Sequence, residues 1–419
     1  MWQTSLSFVS NSAQILFFLI GIFYAFLSLR GFRGVPTPPA RSSKKLRFAL
    51  ILPAYNEEKV IRFSTESLLK INYPRELFDV FVVTDHCTDA TEEIARGLGA
   101  CILNHSGPGR KAGKGRALKW AVSEILKNGS YDGFCYFDAD SLAHPDFLNV
   151  MNDHLSMGEE AIQGRQLTKN EDVWLSIILS SSQILMNRLL QIPKYMSGLS
   201  ATLHGKGMCF SKRITEKFSW DETCLTEDIE MQMRLIRHGV RITWAEGAVV
   251  YNEEPVTIRQ YLKRNIRWTR GSMVVAKRHF NGLLIRMLKQ KDLKAFEGVL
   301  YCGGVYKLIA MIIFTSVLLL LTTDPFIFYF WLYHKLPGAD FGEKFLTMLP
   351  LFFYPVPALA VERANFNLYI GYFLTPVLGV LRFPVLFGGL LRRDAVWGRT
   401  EHSSQVGIAD LVQEPQSVS

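Results

Sequence analysis

An apolar run, Phe134-Cys135-Tyr136-Phe137, stops at two carboxylates one residue apart, Asp138 and Asp140. A short continuous run of this kind reads as a buried parallel strand. Open α/β sheets place their ligands beyond the C-terminal ends of such strands. Two acids this close repel each other unless a cation sits between them. A hard divalent cation holding a nucleotide diphosphate is the usual reason to build such a site. An ordinary acidic turn would look the same in isolation, so the rest of the chain decides.

Residues 47–53, 80–83, 101–103 and 133–138 are short apolar runs, and helical spacing separates them at 57–71, from 89 onward and at 117–126. This alternation predicts an α/β fold with a mostly parallel sheet and helices on both faces. Residues 174–190 read as an apolar-rich helix, lying in the core or against a membrane surface. Thr226-Glu227-Asp228 opens a helix to 238, and residues 257–278 read as a basic, aromatic helix.

Of the 419 residues 48% are hydrophobic, and the mean hydropathy is +0.11. That balance suits one soluble domain joined to a few membrane spans. Residues 15–29 are long enough to span if extended to 12, and residues 300–321 and 345–361 can also span. Residues 326–333 are too short, and 368–391 are broken by Pro376, Gly379, Pro384, Gly388 and Gly389. The organisation expected is a membrane helix at 1–30, a linker at 31–46, an α/β domain with interfacial helices at 47–295, membrane or interfacial helices at 296–393 and a tail at 394–419. Six basic residues and no acidic ones lie between Arg30 and Arg47, directly after the first apolar stretch. Basic charge in that place sets topology and meets lipid, and it argues against nucleic-acid binding. It puts the N-terminus outside, the α/β domain in the cytoplasm and the protein in the plasma (inner) membrane. The six cysteines have no Cys-x-x-Cys spacing, which predicts reduced packing residues and neither disulfides nor a zinc site.

Six short motifs complete the pattern: Pro53-Ala-Tyr-Asn-Glu57, Thr84-Asp85, Lys114-Gly115, Asp138-Ala-Asp140, Thr226-Glu227-Asp228 and Arg264-Asn-Ile-Arg267-Trp268. In this order and at these intervals the chain resembles the membrane-embedded family 2 glycosyltransferases, which include the cellulose, chitin and hyaluronan synthases. The likeness covers roughly residues 47–275. It implies an inverting, GT-A type (Rossmann-like) enzyme that moves a sugar from a UDP-sugar to a growing β-linked polysaccharide, with export through its own spans. The alternative is transfer of a single sugar to a lipid or a short glycan.

The resemblance implies a role for each motif. Tyr55, Glu57 and Asp85 would hold the nucleotide base, and a uracil offers one N–H for a carboxylate. Lys114, at a helix start, would meet the diphosphate, because backbone N–H groups and a cation favour an anion there. Asp138 and Asp140 would bind Mg²⁺ or Mn²⁺, with Asp138 also facing the donor. Asp228 would be the general base, taking the proton from the acceptor hydroxyl. Gly205, Gly207, Glu227 and Trp268 would border the acceptor. Arg267, with Arg264, would stabilise the leaving diphosphate. Gln163-Gly164-Arg165 is expected to end a strand, His86 to be a packing or surface residue, and Trp397-Gly-Arg-Thr400 to close over the donor. The chain departs from the pattern of processive members at Arg264, which stands where they carry Gln. That position bears on both processivity and donor choice.

Overall fold

The computed structural model describes residues 2–107, 109, 111–321, 327–391, 402 and 404–412. The chain enters through α1 (Trp2–Ser28) and a 3₁₀ turn (Leu29–Arg33). It then alternates: β1 (Phe48–Ala54), α2 (Ile61–Leu69), β2 (Phe78–Thr84), α3 (Thr91–Gly97), β3 (Cys101–Asn104), α4 (Lys114–Asn128) and β4 (Gly133–Tyr136). β5 (Leu142–Ala143), α5 (Phe147–Ser156) and β6 (Ala161–Thr168) follow. Next come α6 (Trp174–Met186), a five-residue π-helical turn (Asn187–Gln191), α7 (Ile192–Met196), β7 (Met208–Ser211), α8 (Lys212–Lys217), α9 (Glu227–Arg237) and β8 (Ile242–Asn252).

The eight strands form one sheet in the order β3-β2-β1-β4-β7-β6-β8-β5. Pairings within β3-β2-β1-β4 and between β6 and β8 are parallel, while those of β7 with β4 and β6, and of β5 with β8, are antiparallel. The expected α/β sheet is present, mostly parallel and mixed at its far half. Alternation along β1 explains its burial on both faces. Phe48, Leu50 and Leu52 enter one apolar cluster, and Ala49 and Ile51 enter the other. Parallel strands covered on both sides read as continuous apolar runs for this reason.

Local chemistry adjusts several expected boundaries. The helix expected from 57 begins at Ile61, because the Glu57 carbonyl accepts from both the Val60 and Ile61 N–H groups and residues 57–60 form a turn. Gln163-Gly164-Arg165 does not end a strand. It lies inside β6, where the register with β8 shifts between Gly164 and Arg165. A β-bulge of this kind bends a strand without terminating it.

After β8 the chain is helical. α10 (Ile258–Gln290) starts at a capping box in which Thr257 Oγ1 accepts from the Gln260 N–H (3.2 Å) and Gln260 Oε1 from the Thr257 N–H (3.1 Å). It runs twelve residues past the expected end, to Lys291 in the left-handed region. α11 (Leu293–Leu321), α12 (Phe328–Lys335), α13 (Phe341–Phe353), α14 (Val356–Val361), α15 (Phe366–Val380), α16 (Arg382–Leu391) and α17 (Ile408–Leu411) complete the order. Among the described residues, Ser7–Arg33 and Phe341–Val361 are long and apolar enough to cross a membrane, and α15 with α16, bent by 43°, makes a third if the pair is one span. Residues 397–400 lie outside the described residues.

Candidate active site

β1 lies between β2 and β4, so the chain leaves it on both sides and a crevice opens beyond the strand ends. Tyr55 and Glu57 follow β1, Asp85 follows β2, and Asp138 and Asp140 follow β4. The crevice continues into a cavity of about 1440 Å³. Tyr55, Glu57, Asp85, Lys114, Asp138, Asp140, Gly205, Glu227, Asp228, Arg264, Arg267 and Trp268 all line it. Gly207 does not. Its carbonyl accepts from the Gly164 N–H (2.8 Å), and a Cβ there would stand 2.8 Å from Val250, so Gly207 seats β7 against the sheet.

Lys114, the first residue of α4, joins the two acidic motifs. Its Nζ donates to Asp138 Oδ1 (2.6 Å) and pairs with Glu227 Oε1 (3.0 Å). Burial disfavours its charge, but Asp138 and Glu227 outweigh burial and raise its pKa. Asp228 sits beside this pair with Oδ1 accepting from the Ile229 N–H (2.9 Å). Burial, then the Glu227 charge, pushes its carboxyl up to about 7, with Lys114 opposing. A carboxyl poised there can take a proton at neutral pH. Gly205 adopts φ +77°, and a Cβ would meet Asp228 Oδ2 at 3.2 Å, so only glycine lets backbone approach this carboxylate freely.

Asp140 is buried and accepts from the Glu253 N–H (3.1 Å). Burial opposes its charge, yet His402, Lys206 and Lys169 hold it well below the usual carboxylate range. His402 was not anticipated. Its Nδ1 lies 3.2 Å from Glu57 Oε2 and its Nε2 lies 4.0 Å from Asp140 Oδ2. Burial works against its proton, but Asp140 and Glu57 push the imidazole up to about 9. Asp138 and Asp140 offer the hard carboxylate oxygens that a divalent ion takes, and His402 Nε2 stands 4.0 Å from Asp140 Oδ2. The Glu57 contact holds the imidazole through Nδ1 and turns Nε2 toward Asp140, and a metal binding at Nε2 would have to displace its proton.

Beyond β2, Asp85 Oδ1 lies 2.8 Å from both His86 Nδ1 and His105 Nδ1, and Oδ2 accepts from the Gly113 N–H (2.7 Å). His86 is thus a half-exposed hydrogen-bond partner of Asp85. These three side chains also bring ligand atoms within 4.8 Å of one another. Hydrogen bonding to one carboxylate accounts for that cluster.

Arg264 departs from its expected setting. Its guanidinium pairs with Glu254 (2.5 Å) and stacks over the Trp268 ring at 4.6 Å, with both charged side chains nearly buried. Its charge is met within the protein by Glu254, while its side chain still lines the cavity. Glu253 and Glu254 were missed, although an acid pair ending an apolar run is the same signal as Asp138 and Asp140. No local signal marks His402.

The fold and the site together define a GT-A type glycosyltransferase. The chain belongs to the glycosyltransferase like family 2, whose model matches residues 46–271, more than half of the chain. It is 26% identical over 290 residues to the probable glycosyltransferase YdaM of Bacillus subtilis, covering 65% of this chain and 67% of that protein. It is 28% identical over 229 residues to the beta-monoglucosyldiacylglycerol synthase of Synechocystis, covering 53% and 47%. It is 22% identical over 269 residues to the poly-beta-1,6-N-acetyl-D-glucosamine synthase of Staphylococcus epidermidis, covering 63% and 64%. The chain thus spans about half to two thirds of the length of these curated relatives. The mannosyltransferase PcManGT of Pyrobaculum calidifontis, solved with GDP-Man and Mn²⁺, shares the fold at a TM-score of 0.57 and 16% identity, covering 93% of this chain and all of that one.

Proposed function

We propose that the protein is a membrane-bound, inverting, metal-dependent glycosyltransferase that takes a sugar from a UDP-sugar and adds it to a β-linked glycan. The observation that carries this is geometric: Asp228 and the Lys114 bridge between Asp138 and Glu227 line one cavity. Base and donor-binding acids share one cavity, so one hydroxyl can be deprotonated where it attacks. Tyr55, Glu57 and Asp85 hold the base. Lys114 and Arg267 face the diphosphate, and Trp268 and Gly205 border the acceptor. Asp138, Asp140 and His402 would hold Mg²⁺ or Mn²⁺, which when bound neutralises charge on the departing diphosphate. Asp228 takes the acceptor proton, the acceptor oxygen forms the new bond, and the nucleoside diphosphate leaves from the opposite face. No general acid is needed for a leaving group so neutralised.

The second reading is transfer of a single sugar to a lipid. The glycolipid-forming relative and the Arg264–Glu254 pair favour it, since processive members carry a neutral Gln at that position. In either case α1 anchors the chain in the membrane, and the run of basic residues after it supports a cytoplasmic catalytic domain. Full-length protein in lipid nanodiscs, given Mn²⁺ and a panel of UDP- and GDP-sugars, should release UDP. Product length then separates the two readings. Absence of release from every UDP-sugar would rule out the donor assignment.

A further inference from the structure

The cavity is larger than one nucleotide sugar needs, since small-ligand pockets run from roughly 300 to 1000 Å³. Part of its wall comes from α1, α7 and α11. There Lys194 and Glu297 form an ion pair at 3.0 Å, with side chains 1% and 2% exposed. Lys194 Nζ also donates to Thr202 Oγ1 (3.0 Å), and Tyr24 OH stands 3.5 Å from Glu297 Oε1. Glu297 Oε2 has no hydrogen-bond partner among the described residues. All four side chains line the same cavity as Asp228.

A buried ion pair adds little stability compared with apolar residues of the same size, because desolvation offsets the attraction. A buried carboxylate oxygen without a partner is costly as well. Both costs fall on residues that border the reaction cavity and play no part in the donor site. The missing partner must be a hydrogen donor, because a carboxylate only accepts. Lys194 already balances the charge, so a neutral donor suffices.

We infer that Glu297 and Lys194 form an acceptor subsite, in which Glu297 Oε2 accepts from a hydroxyl of an uncharged saccharide, free or lipid-linked, whose other hydroxyl reaches Asp228. The subsite deepens the proposed glycosyl transfer and rests on it. Glu297 is a positioning residue, set back from the reacting atoms. A sugar held at both ends presents one hydroxyl to the base, and an acceptor ending in phosphate or carboxylate at that depth is refused.

The test compares wild type, E297Q and the double variant K194M/E297L in nanodiscs. Two acceptor probes are used: di-N-acetylchitobiose in solution, and a monoglucosyl diacylglycerol built into phosphatidylcholine discs. Saturation-transfer NMR without donor should show the soluble sugar bound by wild type and at least tenfold more weakly by K194M/E297L. In turnover assays the double variant should raise the acceptor KM at least tenfold, while the donor KM stays within twofold. E297Q, whose amide can still bond a hydroxyl, should fall between the two. Response to one probe alone identifies the soluble or the lipid-linked source. Unchanged acceptor binding and KM in the double variant would overturn the subsite and make the pair a structural strut. Should the double variant fail to fold, an unchanged acceptor KM in E297Q overturns it. If wild type binds the sugar through this pair but turns over no sugar nucleotide, the subsite stands and the glycosyl-transfer reading falls.

Discussion

Asp228 owes its raised pKa to burial and to the neighbouring Glu227 carboxylate. The rate should therefore rise with pH along a limb centred near 7, as the base loses its proton. Removing the like charge in E227Q should move that limb to lower pH, because less repulsion favours the ionised form. D228N should lower kcat by roughly 10² to 10⁴ with donor binding kept, the usual loss for a general base. A pH–rate profile and a nucleotide titration check all three, and a limb unmoved in E227Q would separate the two acids. Arg264 makes a different point at this scale. Its partner Glu254 is nearly buried, so R264Q should destabilise the protein by about 3 kcal/mol through the orphaned carboxylate, and E254Q added to it should return most of that loss. Thermal melts of the single and double variants measure this. A melting loss in R264Q that E254Q does not relieve would mean that the pair does not govern Arg264.

α10 is the element that brings Arg264, Arg267 and Trp268 to the cavity that Asp228 lines. It can approach only because residue 271 is glycine: a Cβ there would stand 2.5 Å from the Thr226 side chain, directly before Glu227 and Asp228. G271A should push α10 away from this loop, lowering both kcat and the melting temperature. A melting loss without a kcat change would show that α10 does not set the site. The helical stretch was legible as basic and aromatic, but its contact with Thr226 was not. A small residue in a helix carries no mark of what will press against it. The four parallel strands were readable because burial on both faces makes each a continuous apolar run. β5, β7 and β8 were not anticipated, and β6 only as a strand thought to end at Arg165. β5 has two residues and β7 four, and antiparallel partners at a sheet's far half need no long run.

At the scale of the molecule, a segment far along the chain meets the site. His402 reaches Glu57, 345 residues earlier in the chain, and the Ser404 N–H donates to Glu253 Oε2 (3.1 Å). H402A should raise the Mn²⁺ concentration for half-maximal activity roughly tenfold or more, as loss of an oriented ligand does, and isothermal titration with Mn²⁺ alone checks it. Unchanged Mn²⁺ affinity would remove His402 from the ligand set. Elsewhere Glu362, just after the apolar stretch Phe341–Val361, pairs with Arg165 of β6 and with Arg188 (3.2 Å) of the π-helical turn. That network ties the end of α14 to the sheet that carries the site.

The sequence by itself determined the α/β class, the strand ends that carry the acids, the apolar helices and the family. These depend on residue type and short-range spacing, which the chain states directly. Tertiary structure decided the partners. It gave Arg264 to Glu254, turned Gly207 away from the cavity, carried His402 to the acids and set Lys194 against Glu297. Each of those pairings joins residues whose spacing along the chain says nothing about their distance in space, and only packing of the sheet against the helices around it brings them together.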